Sequence, residues 1–397
     1  MKLSLELSKK QIGIFTLVLA SLTSLSPFAI DTYVPAMPQM ASFLGVMLSD
    51  IELSLSIYII GYALGQFFGG PLSDSFGRRP IVVTGLSVFI ITSYFLSVSD
   101  SLLQLYVLRF IQAFGGGFSV VVAMAIARDL FTGTILAKRI TYISMVMMTA
   151  PLVAPAVGTL LLKLFGWQAI FSFLTIYGIL VFILIVVFIP ETRKSSSKKG
   201  IIINTAKNYI LVFSNTKAMS YILASSLGFS GMFTFITGSS KIYIDHFNIP
   251  VELFPILFGS NVLLMIGMGA VNARIVTRIS PKKILRAGLI IQLIAGTLLS
   301  SLVFTNNAPF VVVFSLIVIF VGILGVVSSN ANALALHMFP NISGVATAVI
   351  GVSLYAMGGF TGFLLNIFSN DTIFPITLIM FLCSLGANVL FRILNRM

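Results

Sequence analysis

The sequence predicts an all-α integral membrane protein whose twelve spanning helices fall into two six-helix halves. Of its 397 residues, 58% are hydrophobic and only 9% are charged, a balance that no water-soluble domain of this size presents at its surface. A soluble enzyme and a nucleic-acid binder are thereby excluded. The apolar residues gather into twelve runs, each reaching the about 20 residues that one bilayer crossing needs. The charges alternate as well. With the N-terminus placed in the cytoplasm, 21 of the 24 Lys and Arg fall in inner loops, which is the positive-inside pattern and explains the net charge of +13 without an anionic partner. Unbroken apolar runs also exclude a transmembrane β-barrel, whose segments are short and alternating.

The runs lie at 11–33, 50–71, 80–99, 102–127, 140–163, 167–190, 217–240, 252–274, 284–304, 308–335, 343–367 and 372–393. Lys2, Lys9 and Lys10 give the first run the basic start of a signal peptide. It continues past Ile30 without a small-residue cleavage site, so it reads as a retained helix. Pro35 and Pro38 bend or end that helix just beyond Asp31. Trp167, at an outer helix start, reads as an interfacial anchor. The longest polar stretch carries Arg193, Lys194, Lys198 and Lys199, and it divides the chain into a half at 1–190, a cytoplasmic linker at 191–216 and a half at 217–397. Phe76-Gly77-Arg78-Arg79, between the second and third runs, is echoed by Ile279-Ser280-Pro281-Lys282-Lys283 between the eighth and ninth. Matching basic turns at equivalent positions indicate a duplicated transporter architecture, with substrate bound between the halves.

One cysteine and two histidines leave no material for a disulfide framework, a metal centre or a cysteine nucleophile. A membrane enzyme would need a cluster of His, Cys, Asp or Glu within the spans, and only Asp31 and Arg109 sit well inside apolar runs. The chain therefore reads as no enzyme. Without any Gly-Lys pair it has no Walker-type phosphate loop and is not itself an ATP-driven pump. No cofactor is expected, and a proton gradient is the remaining source of energy. An intramembrane charge costs about 2.5 to 3.5 kcal/mol on insertion scales, so both Asp31 and Arg109 must face the interior. Their similar depth makes each a candidate partner for the other. Two readings stand: a proton carrier whose charge follows the transport cycle, or a static ion pair locking spans one and four.

The segment Gly70-Pro71-Leu72-Ser73-Asp74-Ser75-Phe76-Gly77-Arg78-Arg79-Pro80 resembles the loop motif of the major facilitator superfamily, although the basic residue usual after the acid is Ser75 here. Gly70, Asp74, Gly77, Arg78 and Arg79 then form a gating motif, with Asp74 and Arg78 able to bridge helix ends and Gly77 permitting the tight turn. Ser26 to Pro38 in span one, Leu108 to Ala113 in span four and Ala150 to Gly158 in span five together resemble the Bcr/CflA drug-resistance group of proton-driven exporters. The resemblance continues through Gly166-Trp167, Pro190-Glu191-Thr192, Asn272-Ala273-Arg274 and Asn330 to Ala335. It implies the major facilitator fold and an antiporter motif at Pro151, Pro155 and Gly158, although Ala154 and Thr159 depart from that pattern.

Spans one, four, seven and ten line the central pathway in proteins of this superfamily. The substrate-cavity candidates are accordingly Tyr33, Gln112, Ser226, Phe229, Ser230, Phe233, Asn330 and Asn332, with Tyr58 and Tyr62 added from span two. Hydrogen-bonding groups beside aromatics suit an amphipathic organic molecule, and each could equally be a helix-packing contact. Gly61, Gly65 and Gly69 share one face of span two, as Gly358 and Gly362 do in span eleven. Such small faces serve either a sliding contact between halves or plain close packing. The expectation is a monomeric, proton-coupled antiporter of the bacterial inner membrane, with both termini cytoplasmic. It would export small amphipathic compounds, drugs such as bicyclomycin or chloramphenicol-like molecules, by alternating access. The rivals are an exporter of an endogenous metabolite or siderophore, and an uptake symporter.

Overall fold

A computed structural model describes residues 8–193, 207–305, 308–370 and 372–395. The linker run 194–199, Asn306, Asn307 and Asp371 lie outside these residues. Among those described there is no strand. The helices are α1 (Lys9–Asp31), α2 (Met37–Leu44), α3 (Leu48–Phe76), α4 (Arg78–Ser97), α5 (Leu102–Leu130), α6 (Gly133–Phe165) and α7 (Gln168–Phe188). They are followed by α8 (207–214), α9 (Thr216–Ser240), α10 (Phe254–Ile275), α11 (Pro281–Phe304), α12 (Phe310–Gly322), α13 (Leu324–His337), α14 (Ser343–Ile367) and α15 (Phe374–Leu394). They supply twelve stretches long and apolar enough to cross a membrane.

Local chemistry sets several boundaries. Ser8 caps α1 in a reciprocal box with Gln11, satisfying N–H groups that the first turn leaves unpaired. Pro35 falls in a short 3₁₀ turn, Val34–Ala36, which separates α1 from α2 within the first span. Asn215 caps α9 by accepting from the Ala218 N–H at 2.9 Å. The segment read as a linker ends in structure, because α8 lies within it and Val212 is buried in a cluster with Tyr221, Leu285 and Phe391.

Two compact units divide the chain. The first holds the described residues of Met1–Ala36 and Ile57–Ala206, and the second those of Met37–Ser56 and Lys207–Met397. The second unit thus includes one segment that the sequence-based boundary at 190 assigns to the N-terminal half. Its packing gives the reason: the Asn366 amide of α14 donates to the Ser49 carbonyl at 3.0 Å, and a Cβ on Gly362 would overlap Ser56.

Within each unit the helices repeat one packing scheme. In the first, α1 packs on α5, α6 and α7, and α4 packs on α5 and α7. In the second, α9 packs on α13, α14 and α15, and α11 packs on α12, α13 and α15. Spans in the same ordinal position therefore play the same part. Inside the first unit Gly61 and Gly65 lie against the backbone of α5, where a Cβ at Gly61 would come 2.5 Å from the Phe110 carbonyl. These glycines serve close packing of α3 on α5, and the sliding reading is not needed for them. Trp167 also departs from expectation. It is 2% exposed and meets Phe171 edge to face, so it is a packed core residue and not an interfacial anchor.

Candidate functional site

Arg109 is the centre of the first unit's polar chemistry. It is 0% exposed on α5, and its Nη1 donates to the Ala29 carbonyl of α1 at 3.1 Å and to Gln112 Oε1 at 2.9 Å. The faces of Tyr33 and Tyr58 lie 4.6 and 4.2 Å from the guanidinium carbon, with Phe171 at 6.0 Å. Desolvated contacts of this kind are worth about 2 kcal/mol each. Gln112 passes the interaction on, donating from Nε2 to Ser93 Oγ of α4 at 2.7 Å. Tyr62 stacks beside Tyr58 at 6.4 Å. Four of the expected cavity residues, Tyr33, Tyr58, Tyr62 and Gln112, are thus gathered around or next to one buried cation. The Arg109 Nε and Nη2 atoms have no hydrogen-bond partner, so donor capacity remains.

The expected partnership of Arg109 with Asp31 is absent. Asp31 is the last residue of α1 and 3% exposed, yet its Oδ1 accepts no hydrogen bond. Among the described residues the carboxylate enters no ion pair. Arg109 instead contacts the residues two before and two after it, Ala29 and Tyr33. A carbonyl, a side-chain amide and two aromatic faces together meet the guanidinium's charge without a carboxylate. The static-pair reading is therefore corrected. Pro151, Pro155 and Gly158 all lie within α6, and a Cβ on Gly158 would overlap the Thr32 carbonyl. That glycine lets α6 approach the chain immediately after Asp31.

A second constellation joins the helix ends at the basic turn. Asp74 and Arg78 form an ion pair at 2.6 Å, and Arg78 Nε reaches Asp129 Oδ2 at 3.1 Å. Arg78 also donates to Ser73 Oγ at 2.7 Å, and Arg193 Nη1 reaches Asp74 Oδ1 at 2.7 Å. Glu191 caps the N-terminus of α4, accepting from the Arg78 and Arg79 N–H groups at 2.9 and 3.1 Å, where a carboxylate also complements the helix dipole. Gly77 adopts φ 104°, and a Cβ there would come 2.7 Å from Glu191 Oε2, so the joint needs glycine for backbone and space alike. Arg79 donates to the Val186 carbonyl at 2.5 Å. Asp129, Glu191 and Arg193 were not singled out from sequence as members of this network. The available signal is that Asp74, Asp129 and Glu191 all stand at or just beyond helix C-terminal ends in one half.

In the second unit the expected cavity residues do not form one cluster. Phe229 and Phe233 stack at 6.4 Å, and Phe229 meets Tyr355 edge to face at 5.3 Å. Ser230 is engaged within α9, donating to the Ser226 carbonyl at 2.8 Å. Asn330 is a packing residue, its Nδ2 donating to Asn272 Oδ1 at 2.6 Å and to the Val326 carbonyl at 2.8 Å. Asn332 is only partly buried, and its Oδ1 accepts no hydrogen bond. Sequence reading also underrated Glu52, placed near a helix end. It is 2% exposed with Oε1 unbonded, and Lys241 and Asp245 are its charged neighbours.

Twelve apolar spans in two similarly packed six-span sets define a multi-pass membrane protein. A solved POT family transporter, in complex with 5-aminolevulinic acid, has this fold: its TM-score is 0.77 at 14% identity, covering 98% of this chain and 96% of that one. The model of the Major Facilitator Superfamily matches residues 19–363, and the chain belongs to that superfamily and, within it, to the Bcr/CflA group. It is 35% identical to the bicyclomycin resistance protein homolog of Haemophilus influenzae, over 94% of each chain. It is 26% identical to the multidrug resistance protein MdtL of Vibrio parahaemolyticus, over 87% of each.

Proposed function

We propose that this protein is a proton-coupled antiporter of the bacterial inner membrane, with both termini cytoplasmic, that exports small amphipathic organic compounds by alternating access. The observation that carries the coupling is Asp31: a buried carboxylate with no ion pair among the described residues, while the nearby Arg109 charge is met by a carbonyl, an amide and aromatic faces. Among the described residues no ion pair holds the charge of Asp31, which favours its taking up and releasing a proton during transport. An intramembrane acid so placed is a functional site by default. The names of the bicyclomycin and multidrug resistance relatives favour drugs as the substrate class. Tyr33, Tyr58, Tyr62 and Gln112 supply aromatic faces and amide groups suited to an amphipathic molecule. Asp74 and Arg78 act as a latch whose breaking accompanies the inward–outward change.

The test reconstitutes wild-type protein and Asp31→Asn in vesicles and follows bicyclomycin and proton fluxes together. Wild type should accumulate drug uphill in exchange for protons. The asparagine variant should lose uphill accumulation entirely while still equilibrating drug. Uphill transport retained by Asp31→Asn would remove Asp31 from the coupling step. Drug and protons moving in the same direction would make the protein a symporter, and wild-type indifference to drugs would favour an endogenous product.

A further inference from the structure

The basic turn between α10 and α11 repeats the position of the turn between α3 and α4, but the function above makes no use of it. In the first unit the Arg78 guanidinium is engaged by Asp74 and Asp129, while Glu191 accepts from the backbone N–H groups of Arg78 and Arg79. In the second unit Lys282, Lys283 and Arg286, at the start of α11, meet Arg392 at the end of α15 around a concavity of about 440 Å³. None of the four forms an ion pair among the described residues. The sequence explains why: from residue 207 onward the only acidic side chains are Asp245, Glu252 and Asp371; the first two lie between α9 and α10, and the third precedes α15 in the chain, whereas Arg392 stands at the end of α15. Four cations around one hollow repel one another unless an anion sits among them.

We propose that this concavity binds the phosphate headgroup of an anionic phospholipid. The positive end of the α11 helix dipole adds to the field of the four cations. Phe391 gives the hollow a buried apolar wall, and Asn395 is held at its rim by donating to Ser220 Oγ at 2.9 Å. The surrounding surface selects a lipid over a free phosphate. Val389 and Leu385 lie three and seven residues before Arg392 on the same face of α15, and both are exposed. Ile291 and Ile294 are exposed farther along α11. Acyl chains extending from a bound headgroup would run over these residues, and basic pockets between spanning helices at the inner membrane surface are suited to such headgroups. A purely orienting role for the cations requires only that they lie in the loop, not that they converge on one cavity from two helices.

The experiment is native mass spectrometry of the full chain, released from detergent with added phosphatidylglycerol, cardiolipin or phosphatidylcholine, and in a separate arm with sn-glycerol 3-phosphate as soluble competitor. The variant Lys282→Gln/Lys283→Gln/Arg286→Gln/Arg392→Gln is set beside a control with the same net charge, Lys9→Gln/Lys10→Gln/Lys138→Gln/Arg139→Gln. Thermal unfolding is measured for both, and the milder Lys283→Gln/Arg286→Gln serves if the fourfold variant is unstable. Wild type should retain phosphatidylglycerol or cardiolipin at least tenfold more tightly than phosphatidylcholine. The pocket variants should lose that preference, while the control keeps it within about threefold and Lys282→Arg/Lys283→Arg keeps it fully. Equal loss in the pocket variant and the control would overturn the proposal, leaving only a generally basic surface. Full displacement of the lipid by millimolar glycerol phosphate would also overturn it in favour of a soluble anion, as would equal retention of the three lipids by wild type.

Discussion

The turns at 76–79 and 279–283 hold the same place in the two six-span sets, yet their cations meet opposite surroundings. Arg78 is nearly enclosed, paired with Asp74 and Asp129, while Glu191 closes the helix start behind it. Lys282, Lys283 and Arg286 pair with no carboxylate among the described residues. A duplicated architecture requires both turns to carry positive charge, because that charge orients the spans. It does not require both to be neutralised. Acids supplied by the ends of α5 and α7 convert the first turn into a jointed ion network, a device suited to holding one arrangement and releasing another. The second turn kept the charge without the acids and so remains open to an external anion.

The largest effect separating the turns should come from Arg78→Gln. Removing one partner of a buried ion pair leaves others uncompensated, at about 3–5 kcal/mol for fully buried groups. Asp74 and Asp129 keep about a third of their side-chain surface exposed, so a loss of about 2–3 kcal/mol is expected. Transport in vesicles should fall at least tenfold, with the protein still inserted. The matching change in the second unit, Lys283→Gln, removes an exposed and unpaired charge and should alter stability by no more than about 0.5 kcal/mol. Equal shifts in unfolding temperature for the two variants would erase the contrast.

An intermediate effect is expected at the backbone of the joint. Gly77→Ala places a Cβ in a left-handed conformation and against the Glu191 carboxylate, at about 1–3 kcal/mol. Ser280, the residue before α11, has φ −61°, and Ser280→Ala should cost about 0.5 kcal/mol or less, since no side-chain cap is lost. Unfolding curves of the two alanine variants compare strain at one turn with its absence at the other. A neutral Gly77→Ala would mean that Glu191 moves aside freely and is not a fixed cap.

Most of the fold was legible in the sequence because hydropathy and charge alternation are properties of single segments. Twelve runs and one basic side are enough to count spans. Asp31 and Arg109 were legible as exceptional for the same reason. Their relation was not, because sequence gives depth along a helix but not which neighbour a side chain turns towards. Ala29 and Tyr33 reach Arg109 while Asp31, between them, does not. The ion network eluded the sequence differently. Arg78 finds Asp129 from 51 residues away and Glu191 from 113, and no local pattern links them. The burial of Glu52 likewise depends on its unit's packing around α3, where Asn366 contacts Ser49 across 317 residues.

The smallest expected effect concerns Ser75, where the superfamily's loop motif usually carries a basic residue. The structure places a substitute beside the same acid: Arg193, just after α7, reaches Asp74 Oδ1 at 2.7 Å. Ser75 itself is buried and donates to the Pro71 carbonyl at 3.0 Å. Asp74 thus receives two cations, one from its own turn and one from the end of the sixth span. The Arg193 pair is more than a third exposed on the cation's side, so solvent and salt screen it and its worth is about 0.5–1 kcal/mol. Arg193→Gln should therefore slow transport about two- to threefold at low ionic strength and hardly at all in high salt. Arg392→Gln, its counterpart at the end of the twelfth span, should leave the rate unchanged at both salt concentrations. Adding Ser75→Lys to Arg193→Gln supplies a cation whose long stem can carry the ammonium out to Asp74, and it should recover most of the lost rate. A salt-independent defect in Arg193→Gln would show that Arg193 acts through packing, and failure of the added lysine to restore the rate would show that the position of the second cation matters more than its charge.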